Sequence, residues 1–296
     1  MRLRKFKLTH YLQRWLLVFI MLISPLAAQV RAPRKPANPP PAPRLKDGTP
    51  NLGAVEPNKG YWAPQQYQDY AAIADPKDIP FQPWASALAK YRQVETASKY
   101  DPQGFCLPPA GPRMMTTPYP MEIIQLPEQK RILMIYEGGA HVWRIIYMDG
   151  RAHPEGDLLN LTWMGHSVGR WEGDTLVVDS VGFNEGTWID MGGKPHTDRL
   201  HLVERFTRTD LFTLHYEATI EDPGAYTAPW KVRFDVGWDP NGEIQEYICQ
   251  ENNLWKDRVL RGPSPNYRTH ILTADSVKNS LSNIKVEGVR AISKGD

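Results

Sequence analysis

From residue 121 onward the chain keeps a period of two, and this constrains its fold more than any other feature. Residues 131–136 (RILMIY) and 141–148 (HVWRIIYM) flank Glu137-Gly138-Gly139, and residues 167–171 and 175–181 (TLVVDSV) flank Glu172-Gly173-Asp174. Residues 200–207 and 211–220 (LFTLHYEATI) flank Arg208-Thr209-Asp210, and residues 230–236 (WKVRFDV) and 243–249 flank Asp239-Pro240-Asn241-Gly242. Side chains on a strand alternate between two faces, and Gly, Asp and Asn accept the backbone angles of tight turns, so each trio reads as a hairpin. Hairpins in sequence with no helix between them favour an antiparallel sheet that closes on itself or stacks on a second sheet. The expected fold is mainly β, an antiparallel up-and-down (lipocalin-like) barrel, with a two-sheet sandwich as the alternative, and with short N-terminal helices. A barrel of about eight strands has room for one small ligand.

The chain before this region divides by composition. Residues 1–28 read as a secretory signal: Arg2, Arg4, Lys5, Lys7 and Arg14 precede the apolar run 15–23 (WLLVFIMLI), and small residues end at Ala28, the expected cleavage point. The apolar run is about half the roughly 20 residues a spanning helix needs, and no stable membrane span is expected after cleavage. Residues 29–50 hold seven prolines and almost no large apolar residue, the composition of an extended, poorly ordered linker. Residues 51–120 form a helical and loop region. Pro83 opens a helix carrying Trp84, Leu88, Tyr91 and Val94 at helical spacing, and a second helix is expected over 65–74. The β domain spans 121–262, and 263–296 is an irregular tail.

Charge excludes one class of partner. Residues 1–46 contain ten Lys or Arg and no acid, so the rest of the chain sets 25 basic residues against 33 acids, a net −8. Binding to nucleic acid needs a basic surface that displaces counterions from phosphates; the body has the opposite bias, and a small-molecule ligand or substrate is expected instead. The two cysteines, Cys106 and Cys249, lack metal-type spacing, and in an exported chain such a pair reads as one disulfide.

Chemistry concentrates between residues 136 and 208. Five of the eight histidines (His141, His153, His166, His196, His201) fall there with four tryptophans and several carboxylates. Imidazole transfers protons near neutral pH, carboxylates orient it, and indole rings make apolar walls. The candidates for acid–base catalysis are His166, His196 and His201 with Asp179 and Asp190; Glu204 is excluded as a same-strand partner of His201 because the two lie on opposite faces, and His201 is expected opposite His215. The candidates for substrate binding are Trp143, Trp163, Trp188, His141, Arg170 and Tyr226. No cofactor is expected. A metal held by His196 and His201 with His141, His153 or His166 is an alternative, although no H-x-H or H-E-x-x-H pattern supports it. Gly165-His166-Ser167-Val168-Gly169 matches G-x-S-x-G, but a nucleophile elbow needs a helix after the serine, and a turn and strand follow here.

The segment 163–179 (WMGHSVGRWEGDTLVVD), with Cys106-Leu107-Pro108-Pro109, residues 149–154 (DGRAHP), Pro195-His196-Thr197-Asp198 and residues 225–230 (AYTAPW), resembles the signature of a widespread family of exported bacterial hypothetical proteins. The resemblance covers most of residues 100–255. It implies export and a β-rich body, and it assigns no activity.

The functional expectation is therefore an exported, periplasmic or secreted, small-molecule-binding barrel. It would use His/Asp acid–base chemistry of lyase, isomerase or hydrolase type on a small, partly apolar substrate. The alternative is a non-catalytic periplasmic ligand-binding or accessory protein.

Overall fold

The structure, a computed structural model, describes residues 35–57, 59–64, 73–74, 76–95, 99–139, 142–251 and 253. The signal expected at 1–28, most of the helix expected over 65–74, His141 and the tail expected at 263–296 lie outside them. All described residues belong to one unit, 31–296.

Nine strands close into one barrel in sequence order: β1 (Tyr61–Pro64), β2 (Met121–Leu126), β3 (Arg131–Tyr136), β4 (Trp143–Tyr147), β5 (His166–Glu172), β6 (Thr175–Val181), β7 (His201–Asp210), β8 (Thr213–Glu221) and β9 (Trp230–Asp239). The barrel of the expected fold is thus present, as a single closed sheet. Every neighbouring pair is antiparallel except β4 and β5. An odd number of strands cannot close with antiparallel pairs alone, so one parallel pair is a topological necessity. Parallel neighbours need a crossover of a dozen or more residues, and residues 148–165 supply it.

Several local expectations are corrected. β1 comes from the region read as helix and loop, and it closes the barrel against β9. Residues 243–249 form no strand, because β9 has β1 as its partner instead. The β7–β8 hairpin turns at Leu211-Phe212, with a bulge between Arg208 and Asp210, so His201 pairs with Glu221 and His215 with Thr207. The Pro-rich stretch is tied to that hairpin, not loose. Lys35 Nζ reaches Asp210 Oδ2 at 2.6 Å, and Leu211 N–H donates to the Pro40 carbonyl at 2.9 Å. The expected helix forms as α1 (Pro83–Lys90), with Trp84 and Leu88 buried. A second short helix, α2 (Pro112–Thr116), follows.

Inside the barrel, apolar side chains surround a polar network centred on Arg144, while the buried Arg208 of β7 donates separately to the Asn51, Gly53 and Leu211 carbonyls. Leu202, Phe206, Tyr216, Ala218 and Ile220 are fully buried, with the Phe206 and Tyr216 rings 5.2 Å apart. Arg144 on β4 donates from Nε to Ser167 Oγ on β5 (2.9 Å). Its Nη2 donates to Ser180 Oγ on β6 (2.7 Å) and to Glu204 Oε2 on β7 (2.5 Å). Tyr216 on β8 donates to the other Glu204 oxygen at 2.9 Å. Burial opposes the Arg144 charge, but the adjoining carboxylate outweighs it and raises the guanidinium pKa. Burial raises the Tyr216 phenol, which stays neutral and a donor. Cys106 is disulfide-bonded to Cys249, with Cα atoms 5.5 Å apart.

Candidate functional site

Strand parity places the site on the outer wall. Leu202, Glu204 and Phe206 point inward with Ser180, Val178 and Leu176 opposite them. His201 and Asp179 therefore point outward, and His166 does so on β5, one residue from the buried Ser167. Register aligns His166, Val181, His201 and Glu221 in one cross-strand row, with Asp179 in the next. His153 reaches over this surface from the crossover. The expected location inside the barrel is thus corrected: His166 and His201 occupy its outer face, because their strand neighbours are the core residues.

Hydrogen bonds join these groups in a chain. His166 Nδ1 and His153 Nδ1 are 2.8 Å apart, His153 Nε2 lies 3.1 Å from Asp179 Oδ1, and His201 Nε2 lies 3.0 Å from the same oxygen. His201 Nδ1 faces Glu221 Oε2 at 3.3 Å. The carboxylate must accept, so His153 carries its proton on Nε2, and its Nδ1 accepts from His166 Nδ1–H. That assignment leaves the lone pair of His166 on Nε2, which no hydrogen bond from the described residues reaches. Both His201 nitrogens face carboxylate oxygens.

The surroundings tune His166. Its ring stacks on Tyr147 (centroids 5.2 Å apart, planes 25° apart), and the Arg151 guanidinium lies 3.9 Å over the other ring system of that pair, Tyr147. Arg151 forks onto Asp149, holding that carboxyl down to about 2. Partial burial, reinforced by His153 and Arg151, lowers the His166 pKa below that of free imidazole. A neutral imidazole with a bare Nε2 is the form a general base requires.

His196 and Asp190 belong elsewhere. Both nitrogens of the buried His196 are engaged: Thr187 Oγ1 donates to Nε2 at 2.6 Å, and Nδ1 donates to the Thr197 carbonyl at 2.9 Å. Asp190 is buried in an ion pair with Lys194. The Arg92 and Arg113 guanidiniums lie 4.6 Å and 5.7 Å from the Trp188 ring, and Tyr226 donates to the Pro195 carbonyl at 2.7 Å. His196, Asp190, Trp188 and Tyr226 are buried, and their partners lie outside the outer cluster. Trp163 is half-buried against Gly186. Trp143 is 60% exposed on the outer face of β4, and Arg170 is exposed and paired with Glu172. The metal alternative loses its pair, since His196 and His201 are separated. Among the described residues no three His, Cys, Asp or Glu groups are arranged to hold a metal ion.

Reasoning from the sequence omitted Tyr147 and Glu221 from the site, read Arg151 as a solvated arginine in preference to a substrate contact, and gave His153 no acid–base role. The correct hairpin register would have found Glu221. His153 and Arg151 sit on a crossover whose path no local pattern encodes. No family model matches the chain, and no curated protein or solved structure matches it.

Proposed function

We propose that this is an exported β-barrel protein that performs acid–base chemistry on a small, partly apolar molecule at its outer-wall histidine cluster. The observation that carries the reading is the hydrogen-bonded series His166–His153–Asp179, which ends in an unclaimed Nε2. His166 Nε2 takes a proton from the substrate while the Nδ1 proton passes to His153. The resulting imidazolium of His153 lies against the Asp179 carboxylate, and the reverse path returns the proton. A base oriented by a second group, itself oriented by a carboxylate, is the general logic of activated catalytic histidines. Tyr147 offers an aromatic wall beside the reacting nitrogen. Elimination, isomerisation and hydrolysis all use such a proton carrier. Export is supported by the signal read at residues 1–28 and by the disulfide, which persists in oxidising compartments. The acidic body supports a small-molecule partner over nucleic acid.

The test incubates the full chain in D2O with a panel of small ketones, enones and lactones, read by mass spectrometry for deuterium uptake or conversion. His166→Gln should lower the rate on the order of 10²–10⁴-fold while circular dichroism stays unchanged. Equal rates in the wild type and His166→Gln would overturn the reading.

A further inference from the structure

We propose that Arg144 and Glu204, sealed inside the barrel, are positioning residues for the outer histidine relay, because their ion pair sets the register of the strands that carry it. The proposal rests on the acid–base reading of the outer cluster. It begins from a correspondence between the two faces of the sheet. The interior network ties β4, β5, β6 and β7 through Arg144, Ser167, Ser180 and Glu204. Those same strands carry Tyr147, His166, Asp179 and His201 outside. Ser167 directly follows His166 in the chain, and Ser180 directly follows Asp179. Ser167 and Ser180 are cross-strand partners with their hydroxyls 3.0 Å apart.

An interior of apolar side chains alone is permissive. A slip of one residue is costly, since it turns the core face outward. A slip of two keeps every face, and among the inward side chains of β7 Glu204 and Arg208, which donates to the Asn51 and Gly53 carbonyls, resist it. On the outside, that slip moves His201 about 6.6 Å along the strand, beyond hydrogen-bonding reach of Asp179. The ion pair removes this freedom. With Glu204 moved by the same distance, Arg144 and Glu204 would each be a buried charge without a partner, which is strongly unfavourable. The relay needs contacts of 2.8–3.1 Å, so register fidelity is a functional requirement as well as a structural one.

The paired variant R144M/E204L tests this, since replacing both charges by apolar groups of similar volume leaves no lone buried charge. The readout is the ring 15N NMR shifts of His153, His166 and His201 in the full chain, which report the tautomer of each imidazole. The wild type should show fixed tautomers. R144M/E204L should unfold cooperatively yet show averaged tautomers and at least a tenfold loss of deuterium exchange, and R144K/E204D should recover the wild-type pattern in part. An unchanged tautomer pattern in R144M/E204L would overturn the proposal. Should that variant fail to fold, R144Q/E204Q, which removes both charges and keeps polar side chains, decides by the same readout: averaged tautomers support the proposal, and a wild-type pattern overturns it. Fixed wild-type tautomers without any substrate turnover would count against the proposed function alone.

Discussion

His196 and His201 are five residues apart and end in opposite surroundings, one sealed and neutral, the other on the outer wall between two carboxylates. Burial holds the His196 pKa below its ordinary value of 6.5. The unfolded chain therefore binds a proton that the folded ring refuses as pH falls below about 6.5. Stability is complete above that value and is lost as pH falls toward the depressed folded pKa; the lowered pKa of His166 acts in the same direction. Urea unfolding across pH 7 to 5 should show the midpoint falling, and His196→Asn should flatten part of that slope. An unchanged slope would show that another group governs it. Ser167 teaches a similar lesson. It stands in a G-x-S-x-G string, yet its hydroxyl is buried and accepts from Arg144, so the string reflects sheet geometry and not a nucleophile.

At the level of elements, parity was readable and register was not. The alternation on β7 correctly separates His201 from Glu204 by face. Its cross-strand partner depends on where the hairpin turns, and a bulge near Asp210 moves that point. The entry to β5 depends on one glycine. Gly165 has φ +67°, and a Cβ there would lie 2.7 Å from the Val181 carbonyl oxygen and about as close to the Phe183 ring as real contacts allow. Gly165→Ala should cost about 1–3 kcal/mol in denaturant unfolding and displace the adjacent His166, visible as a changed ring 15N signal. Gly173→Ala, also at positive φ but with nothing within 4 Å, should leave the His166 signal unchanged. A His166 signal indifferent to Gly165→Ala would remove this account of the strand entry.

At the scale of the whole molecule, closure depends on chain segments far apart in sequence. β1 is only four residues long, yet it supplies the last wall, and its Trp62 lies 4.9 Å from Trp238 of β9 with the Arg208 guanidinium over both rings. The Cys106–Cys249 bond ties the loop before β2 to the chain after β9 across 143 residues. Cross-linking so large a loop restricts the unfolded chain, and its loss should cost about 2–5 kcal/mol. Cys106→Ser/Cys249→Ser should show this as a lower urea midpoint with histidine ring signals unchanged, since neither cysteine touches the relay. Equal midpoints would mean that native contacts alone hold these segments.

The period-two pattern and its turn residues by themselves determined a β-rich body and which residues of one strand share a face, because these follow from local backbone geometry. Tertiary structure alone decided that a segment near residue 61 closes the sheet, that one pair runs parallel and that the crossover lays His153 between His166 and Asp179. It also decided that His196 and Asp190 are buried apart from the outer cluster. Those outcomes depend on which distant surfaces pack together, and on a strand count whose oddness matters only when the sheet closes.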